Sequence, residues 1–211
     1  PKKSWKEGAM TVEVNHGPKG VVGVLGPFNL PAHLPNGHIV PALLAGNTVV
    51  FKPSEQTPLV AEFLIKLWQR TEIPAGVVNM VQGGREAGQT LALHPDLDGL
   101  FFTGGSAAGK SLAMSYGRHP EKILVLEMGG NNPLIVSQID DVEAAAYMTI
   151  QSAFITAGQR CTCARKLIVV ESKNADAFID TLIAMSKKVK VGSYTDKETP
   201  FIGPVISLAA A

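Results

Sequence analysis

Two cysteines stand close together in Gly158-Gln159-Arg160-Cys161-Thr162-Cys163, just after a long helical pattern. A cysteine in such a turn is more often an inert buried thiol than a reactive one. Beside a cation such as Arg160, and with a base available, a thiol ionises more readily and becomes a nucleophile. Cys161 is therefore a candidate nucleophile, which still needs a base and a group that stabilises an oxyanion.

Candidates for both groups follow predicted strands. The apolar run Leu124–Leu126 ends in Glu127, and a carboxyl at the dry end of a strand tends to have a raised pKa, which suits a general base. Asn29 lies between two prolines in Gly26-Pro27-Phe28-Asn29-Leu30-Pro31, where its NH₂ group can point at a developing alkoxide. A plain turn is the alternative interpretation of the same residues.

A third segment, Thr48–Pro58, has the pattern of a buried strand that ends in charged residues and is followed by a helix. Ligands of open α/β sheets bind at such carboxyl ends. Lys52 could approach a ribose or phosphate, and Glu55 could accept hydrogen bonds from an adenosine ribose. An ordinary helix start, with Ser54 as its cap and Glu55 favouring the dipole, remains an equal alternative.

The segment Phe101–Lys110 is a strand, a glycine-rich turn and a helix start. Backbone N–H groups of such a turn can approach a phosphate, and the helix N-terminus favours the anion. The spacing from Gly104 to Gly109-Lys110-Ser111 also fits a P-loop, so hydrolysis of a nucleoside triphosphate is an alternative function for this segment. The lack of a convincing apolar strand ending in an Mg²⁺-linked Asp argues against that alternative.

Short β-branched runs alternate with amphipathic stretches, which predicts βαβ units and a parallel, Rossmann-like sheet with flanking helices, followed by the first part of a second α/β domain. The predicted strands are Val21–Leu25, Thr48–Lys52, Val77–Val81, Gly99–Thr103, Lys122–Glu127, Leu134–Val136 and Lys166–Val170. The predicted helices are Leu59–Arg70, Glu86–Leu93, Gly109–Tyr116, Val142–Thr156 and Ala175–Val189.

Three regions differ in character. Residues 1–18 form an arm or oligomerisation strand, because Thr11–His16 alternates apolar and polar residues. We predict a partial dinucleotide-binding domain in residues 19–129 and a partial catalytic domain, which carries the cysteines, in residues 130–211. The chain begins at Pro1 rather than Met and ends at Ala209-Ala210-Ala211, so we expect it to be truncated.

Composition narrows the function classes. The 211 residues are 45% hydrophobic and 18% charged, with a net charge of +1, which favours a globular protein and argues against nucleic-acid binding. No apolar run reaches the roughly 18 residues that span a bilayer, and the cysteines lack partners for a metal site. We therefore expect a cytoplasmic protein with no metal, no membrane partner and no nucleic-acid partner.

The motifs together resemble the aldehyde dehydrogenase superfamily, from about Gly17 to the end of the chain. The family's motifs correspond, in order, to Pro27–Pro31, Lys52–Glu55, Phe102–Gly104, Glu127–Gly130 and Gly158–Cys161. Two positions depart from the pattern: Gly105 replaces a common Ser, with Ser106 one position later, and His38 replaces a common Lys. A packing or substrate-polarity role is expected for His38.

The resemblance implies that Cys161 attacks an aldehyde, that Asn29 holds the oxyanion and that Glu127 activates the hydrolytic water. It also implies NAD⁺ as cofactor, with NADP⁺ as an alternative, and a homo-oligomer at full length. The residues it assigns to the cofactor are Phe28, Lys52, Glu55, Gly104, Gly105, Ser106 and Gly109. The resemblance outweighs the P-loop alternative.

Within the superfamily, the stretch His33–Ala42, with Met128 and Asn131-Asn132, is most similar to the branch that oxidises succinylglutamate semialdehyde in arginine catabolism. The family places a second cofactor-holding Glu and much of the substrate pocket beyond the cysteine-bearing half. A non-catalytic NAD-binding fragment is therefore the second functional hypothesis.

Overall fold

A computed structural model describes residues 2–211 of the chain. The chain divides into two compact units, of which the first ends at Met128 and the second runs from Gly129 to Ala211.

The N-terminal segment is an exposed hairpin. Strand β1 (Lys2–Glu7) pairs antiparallel with β2 (Met10–Asn15), and Gly8 adopts a φ of 61° in the turn between them. Glycine suits that turn because it lacks the Cβ that makes positive φ costly. The strand predicted near residues 11–16 is confirmed as β2, whereas its partner β1 was not predicted.

The first unit is built on a five-stranded parallel sheet with the order β5-β4-β3-β6-β7. Its strands are β3 (Val21–Leu25), β4 (Thr48–Lys52), β5 (Val78–Met80), β6 (Gly99–Gly104) and β7 (Ile123–Met128). Strand β3 is the middle strand of the sheet. The chain then adds β4 and β5 on one side of β3, and returns to add β6 and β7 on the other side. The strand order therefore reverses between β3 and β6.

Both faces of this sheet are covered, as parallel sheets require. The flanking helices are α1 (His33–Leu44), α2 (Pro58–Gln69), α3 (Arg85–Ala92) and α4 (Ser106–Tyr116). Val24 and Phe51 pack in one core cluster with Ile39 of α1, whereas Leu25 and Phe102 pack in a second cluster. Neighbouring residues of β3 thus point to opposite faces, which anchors the central strand on both sides.

Helix α1 was not predicted, because Pro35, Gly37 and Pro41 look like turn residues in the sequence. Pro35 lies in the first turn of the helix, where a backbone N–H has no intrahelical acceptor and its loss costs little. Pro41 lies inside the helix and removes one hydrogen bond. Burial of Pro35, Ile39 and Ala42 against the sheet outweighs that loss.

The second unit pairs β8 (Asn132–Val136) parallel with β9 (Ala164–Val169) and contains α5 (Val142–Phe154) and α6 (Ala175–Ser186). The Asp141 carboxylate accepts a hydrogen bond from the Ala144 N–H at 2.9 Å and caps the start of α5. Buried Ala146 and Phe178 join the two helices in one small core.

The mixed α/β fold with its parallel sheet is confirmed, and the predicted strands and helices are present, with β3 and β4 at their predicted bounds and the others shifted at one or both ends. The largest helix differences are at the start of α4, which begins at Ser106 rather than Gly109, and at the end of α6, which is Ser186 rather than Val189. Helix α5 ends early because Thr156 has a φ of 60°, which no right-handed helix contains. None of the helices between residues 2 and 211 has the length and apolar composition that crossing a bilayer requires.

Candidate active site

The carboxyl ends of the five parallel strands meet at one edge of the first unit, where most of the predicted site residues lie. Ligands of open α/β sheets bind where the strand order reverses, which here is between the ends of β3 and β6. The turn that follows β3 carries Phe28 and Asn29, and the turn that follows β6 carries Gly105. This edge is the candidate nucleotide site.

The turn after β3 is held closely against its neighbours. The Gly26 N–H donates to the Lys52 carbonyl oxygen at 2.9 Å. A Cβ on Gly26 would lie 2.8 Å from Pro35 Cγ and 2.9 Å from Phe51 Cε2, so only glycine fits there. Asn29 Oδ1 accepts a hydrogen bond from the Leu30 N–H at 3.0 Å, which holds the side chain against this turn.

Lys52 is buried at the end of β4, with 6% of its surface exposed. Its Nζ donates to the Gly83 carbonyl oxygen at 2.7 Å and lies 3.5 Å from Glu55 Oε2. Two of the three ammonium protons therefore have partners within the protein. The side chain joins the end of β4 to the loop after β5, a structural role that the sequence did not indicate.

Glu55 projects from a turn rather than from a capped helix. Its side chain is 59% exposed, and α2 begins three residues later, at Pro58, with Thr57 as the N-cap. Ser54 Oγ accepts a hydrogen bond from the Gln56 N–H at 3.3 Å within this turn. The alternative in which Ser54 caps the helix is therefore wrong, and Glu55 presents its carboxylate to solvent at the sheet edge.

The glycine-rich turn after β6 is short. Gly105 is the N-cap of α4, Ser106 is its first residue, and the Gly109 N–H already donates to the Gly105 carbonyl oxygen at 3.1 Å. A P-loop instead uses a longer glycine-rich loop whose N–H groups surround the phosphates. Because Gly109 and Lys110 are inside the helix, the P-loop alternative is excluded.

The glycines on either side of this turn, Gly104 at the end of β6 and Gly109 inside α4, also have a packing explanation. A Cβ on Gly104 would lie 2.5 Å from Phe102 Cζ, and one on Gly109 would overlap Met128 Sδ. The close approach of α4 to β6 and β7 thus needs these glycines whether or not a phosphate binds. The N–H groups in the first turn of α4 still lack intrahelical acceptors, as at any helix N-terminus, and can face an anion.

Glu127 lies near the end of the edge strand β7, beside Thr103 of β6. The expectation that it sits at a dry strand end is wrong, since Glu127 is exposed. The reason is its place on the outermost strand, whose last two residues are both exposed.

His38 is the residue of this edge whose role the sequence left open. Its Nε2 lies 3.0 Å from Thr103 Oγ1, and its ring centroid lies 5.5 Å from that of Phe101. Burial lowers the pKa of His38 below its ordinary value, and the negative charge of Glu127 partly opposes that shift. A neutral imidazole therefore links α1 to the end of β6, next to the strand that carries Glu127.

His38→Gln should make stability less sensitive to mild acid. Because the folded pKa lies below the ordinary value of about 6.5, the unfolded chain binds a proton that the folded chain excludes, so stability falls as the pH drops through that window. We expect the melting temperature to fall less between pH 7.5 and 5 in His38→Gln than in the wild type. His33→Gln, an exposed position of α1, is the control; equal falls in all three proteins would contradict the prediction.

The turn before Cys161 in the second unit has an unusual backbone. Thr156, Ala157 and Gly158 have φ values of 60°, 53° and 68° in succession. Non-glycine residues rarely adopt this left-handed conformation, and such strain clusters at functional sites. Arg160 Nε donates to Thr156 Oγ1 at 2.8 Å, so the guanidinium is engaged with the strained turn.

The two cysteines differ sharply in accessibility. Cys161 is exposed, whereas Cys163 is buried with 2% of its surface exposed, and both are free thiols. The Cys163 thiol lies 3.7 Å from the Ile155 carbonyl oxygen, to which it donates. Cys163 is therefore a core thiol and Cys161 is the one that a reagent in solution can reach.

In residues 2–211 no group of three or more His, Cys, Asp or Glu side chains could hold a metal ion.

Comparisons with known proteins identify the chain. Residues 2–211 match the family model described as the aldehyde dehydrogenase family. The chain is 57% identical over 201 residues to N-succinylglutamate 5-semialdehyde dehydrogenase of Ectopseudomonas mendocina, covering 95% of this chain and 41% of that protein.

Solved structures agree with the sequence match. An aldehyde dehydrogenase of Mycobacterium tuberculosis complexed with NAD⁺ superposes with a TM-score of 0.88 at 33% identity, over 98% of this chain and 42% of that one. A glyceraldehyde-3-phosphate dehydrogenase of Methanocaldococcus jannaschii complexed with NADP gives 0.86 at 31% identity, over 99% and 46%. The chain thus spans less than half the length of these relatives. It belongs to the aldehyde dehydrogenase family.

Proposed function

We propose that the full-length protein oxidises an aldehyde to a carboxylic acid with NAD(P)⁺. By full-length protein we mean one that contains this chain and has the length of its relatives. The observation that carries the proposal is the exposed thiol of Cys161 directly after a strained left-handed turn, beside a buried Cys163. Family membership supports the same chemistry.

In the proposed reaction the Cys161 thiolate adds to the aldehyde carbon and forms a thiohemiacetal. The family resemblance assigns the stabilisation of its oxyanion to the Asn29 NH₂ group and the Cys161 N–H. The former aldehyde carbon then loses a hydride, for which NAD(P)⁺ would supply the acceptor when bound at the sheet edge. Cys161 then carries a thioester, and Glu127 takes a proton from the water that hydrolyses it, which releases the acid and frees the thiol.

Alkylation of the wild-type full-length protein tests the assignment of the nucleophile. We expect iodoacetamide to modify Cys161 much faster than Cys163, because the latter is buried and engaged with a carbonyl oxygen. Trypsin cleavage after Arg160 and Arg165 leaves both cysteines in one peptide, so fragment ions must assign the label. Equal labelling of the two, or preference for Cys163, would remove Cys161 as the nucleophile.

The proposed substrate is N-succinylglutamate 5-semialdehyde, in arginine catabolism. The support is the 57% identity to a relative that carries that name. Comparing kcat/KM for this semialdehyde with that for a simple aliphatic aldehyde of similar chain length tests the choice. A higher kcat/KM for the aliphatic aldehyde would reject the substrate while leaving the reaction class intact.

The cofactor is proposed to be NAD⁺ rather than NADP⁺. A carboxylate can accept a hydrogen bond from a ribose 2′-OH but repels a 2′-phosphate, and Glu55 presents its carboxylate to solvent at the sheet edge. The opposing cation, Lys52, already has partners in Gly83 and Glu55. Its attraction for a 2′-phosphate is therefore reduced.

Glu55→Gln should narrow the preference for NAD⁺ over NADP⁺ by about tenfold in the ratio of dissociation constants, a difference of about 1.4 kcal/mol. Titration of both cofactors by calorimetry against the full-length protein measures this ratio. Glu62→Gln, which removes an exposed carboxylate of α2, is the matched control and should leave the ratio unchanged. Equal affinity of the wild type for both cofactors would show that Glu55 does not set the preference.

The second candidate is a fragment that binds NAD⁺ without turnover. It is favoured by a first unit that contains the whole five-stranded sheet with its switch point, in a chain that spans 41% of its relative. Calorimetric titration of the 211-residue chain with NAD⁺, NADP⁺ and ATP, followed by an activity assay, separates binding from catalysis.

Assembly into a homo-oligomer and a cytoplasmic location stay predictions.

A further inference from the structure

Asn132, the first residue of β8, contacts the backbone on both sides of Thr162. Its Nδ2 donates to the Cys161 carbonyl oxygen at 2.6 Å and to the Cys163 carbonyl oxygen at 3.0 Å. Both protons of one amide group are therefore used to hold the turn that carries the exposed thiol. The Cys163 N–H closes the same turn by donating to the Arg160 carbonyl oxygen at 3.3 Å.

The surrounding backbone leaves space for this side chain. A Cβ on Gly130 would lie 2.8 Å from Asn132 Oδ1 and 3.4 Å from Asn132 Cγ, so a larger residue there would displace the amide. The pairing of β8 with β9 also shifts its register between Asn132 and Pro133, where the strand starts beside the cysteine turn. Gly130 thus has a packing reason to be glycine that concerns Asn132 alone.

We propose that Asn132 is a positioning residue for the nucleophile: by holding the carbonyl groups of Cys161 and Cys163 it fixes the orientation of the Cys161 backbone and thiol. The inference rests on the proposed function of Cys161. Fixing the Cys161 carbonyl restricts rotation about the bond that joins it to Cα, and therefore restricts the direction of the Cα–Cβ bond that carries the thiol. Small displacements of a nucleophile are costly, because the attack needs close and aligned atoms.

The chemistry of the contact favours asparagine over similar residues. Aspartate has the same shape but no donor when ionised, and would place a carboxylate against two carbonyl oxygens. Serine has a single donor, and glutamine carries its amide one carbon farther from the backbone. Asn132→Asp is therefore a nearly isosteric change that removes both hydrogen bonds.

The test compares Asn132→Asp, Asn132→Ser and Gly130→Ala with the wild-type full-length protein. The control is Asn131→Asp, which adds the same charge at the adjacent exposed position. Two readouts are used: the alkylation rate of Cys161 by iodoacetamide as a function of pH, and kcat and KM with aldehyde and NAD⁺.

We expect Asn132→Asp to lower both the alkylation rate of Cys161 and kcat by about 10- to 100-fold, with KM for NAD⁺ unchanged. Asn132→Ser and Gly130→Ala should show smaller losses in the same direction, and Asn131→Asp none. Should Asn132→Asp fail to fold, judged by circular dichroism and NAD⁺ binding, the other two variants decide.

Wild-type rates of alkylation and turnover in the folded Asn132 and Gly130 variants would overturn the inference. A loss of kcat equal in Asn131→Asp and Asn132→Asp would also overturn it, because the effect would then follow the added charge rather than the lost donors. A wild-type protein whose Cys161 reacts no faster than Cys163 would instead overturn the proposed function.

Discussion

Cys161→Ser is expected to lower the steady-state rate of aldehyde oxidation by the full-length protein by about 10³-fold or more. A serine hydroxyl is far less ionised than a thiol near neutral pH, and this turn offers it no histidine, so the covalent step fails. NADH absorbance in the presence of aldehyde measures the rate. NAD⁺ affinity should stay at the wild-type value, because the candidate nucleotide site lies in the other unit.

The matched control is Cys163→Ala, which removes the neighbouring thiol. Because Cys163 is buried, we expect some loss of stability from the lost packing but retention of most of the activity. Loss of activity in Cys163→Ala, together with a Cys161→Ser variant that still turns over, would assign the nucleophile to Cys163.

Glu127→Gln should separate the two halves of the reaction. If Glu127 acts only on the hydrolytic water, the variant still forms the thioester and releases one equivalent of NADH per active site in a burst. Steady turnover should then fall by about 10²- to 10⁴-fold, the usual contribution of a general base. Rapid mixing with excess aldehyde and NAD⁺ measures both phases in one experiment.

Glu121→Gln is the control for Glu127, since it removes an exposed carboxylate just before the opposite end of β7. We expect its burst and its steady rate to match the wild type. If Glu127→Gln loses the burst as well, Glu127 also activates Cys161, and its role is not confined to hydrolysis.

The sequence was most informative where local pattern and burial agree. Strands β3 and β4 lie where their β-branched runs predicted them, because both are central strands covered on two faces. Helix α1 was missed because proline and glycine dominate the local signal, while the packing that stabilises the helix comes from its contacts with the sheet strands β3, β4 and β6, which the local pattern does not show.

The environments of the predicted site residues are where the structure differs most from the sequence predictions. Glu127 was expected in a dry setting, yet strand order, which the sequence does not show, puts it on an exposed edge. The P-loop spacing of Gly104–Ser111 was misleading because α4 already begins at Ser106. The backbone N–H groups of Gly109 and Lys110 therefore lie inside the helix and not in a loop that could surround a phosphate. His38 contacts Thr103 and Asn132 contacts Cys161, and each pair is far apart in sequence. The sequence showed only that a polar residue without an assigned role lies near a motif.

The most direct test of the account is to identify the acylated residue in Glu127→Gln. The full-length variant is mixed with aldehyde and NAD⁺, quenched in acid during the burst, digested and analysed by mass spectrometry. The proposed mechanism predicts an acyl group on the Cys161 sulfur, assigned by fragment ions, and none on Cys163 or in a sample without NAD⁺. An NADH burst with the acyl group on any other residue would contradict it.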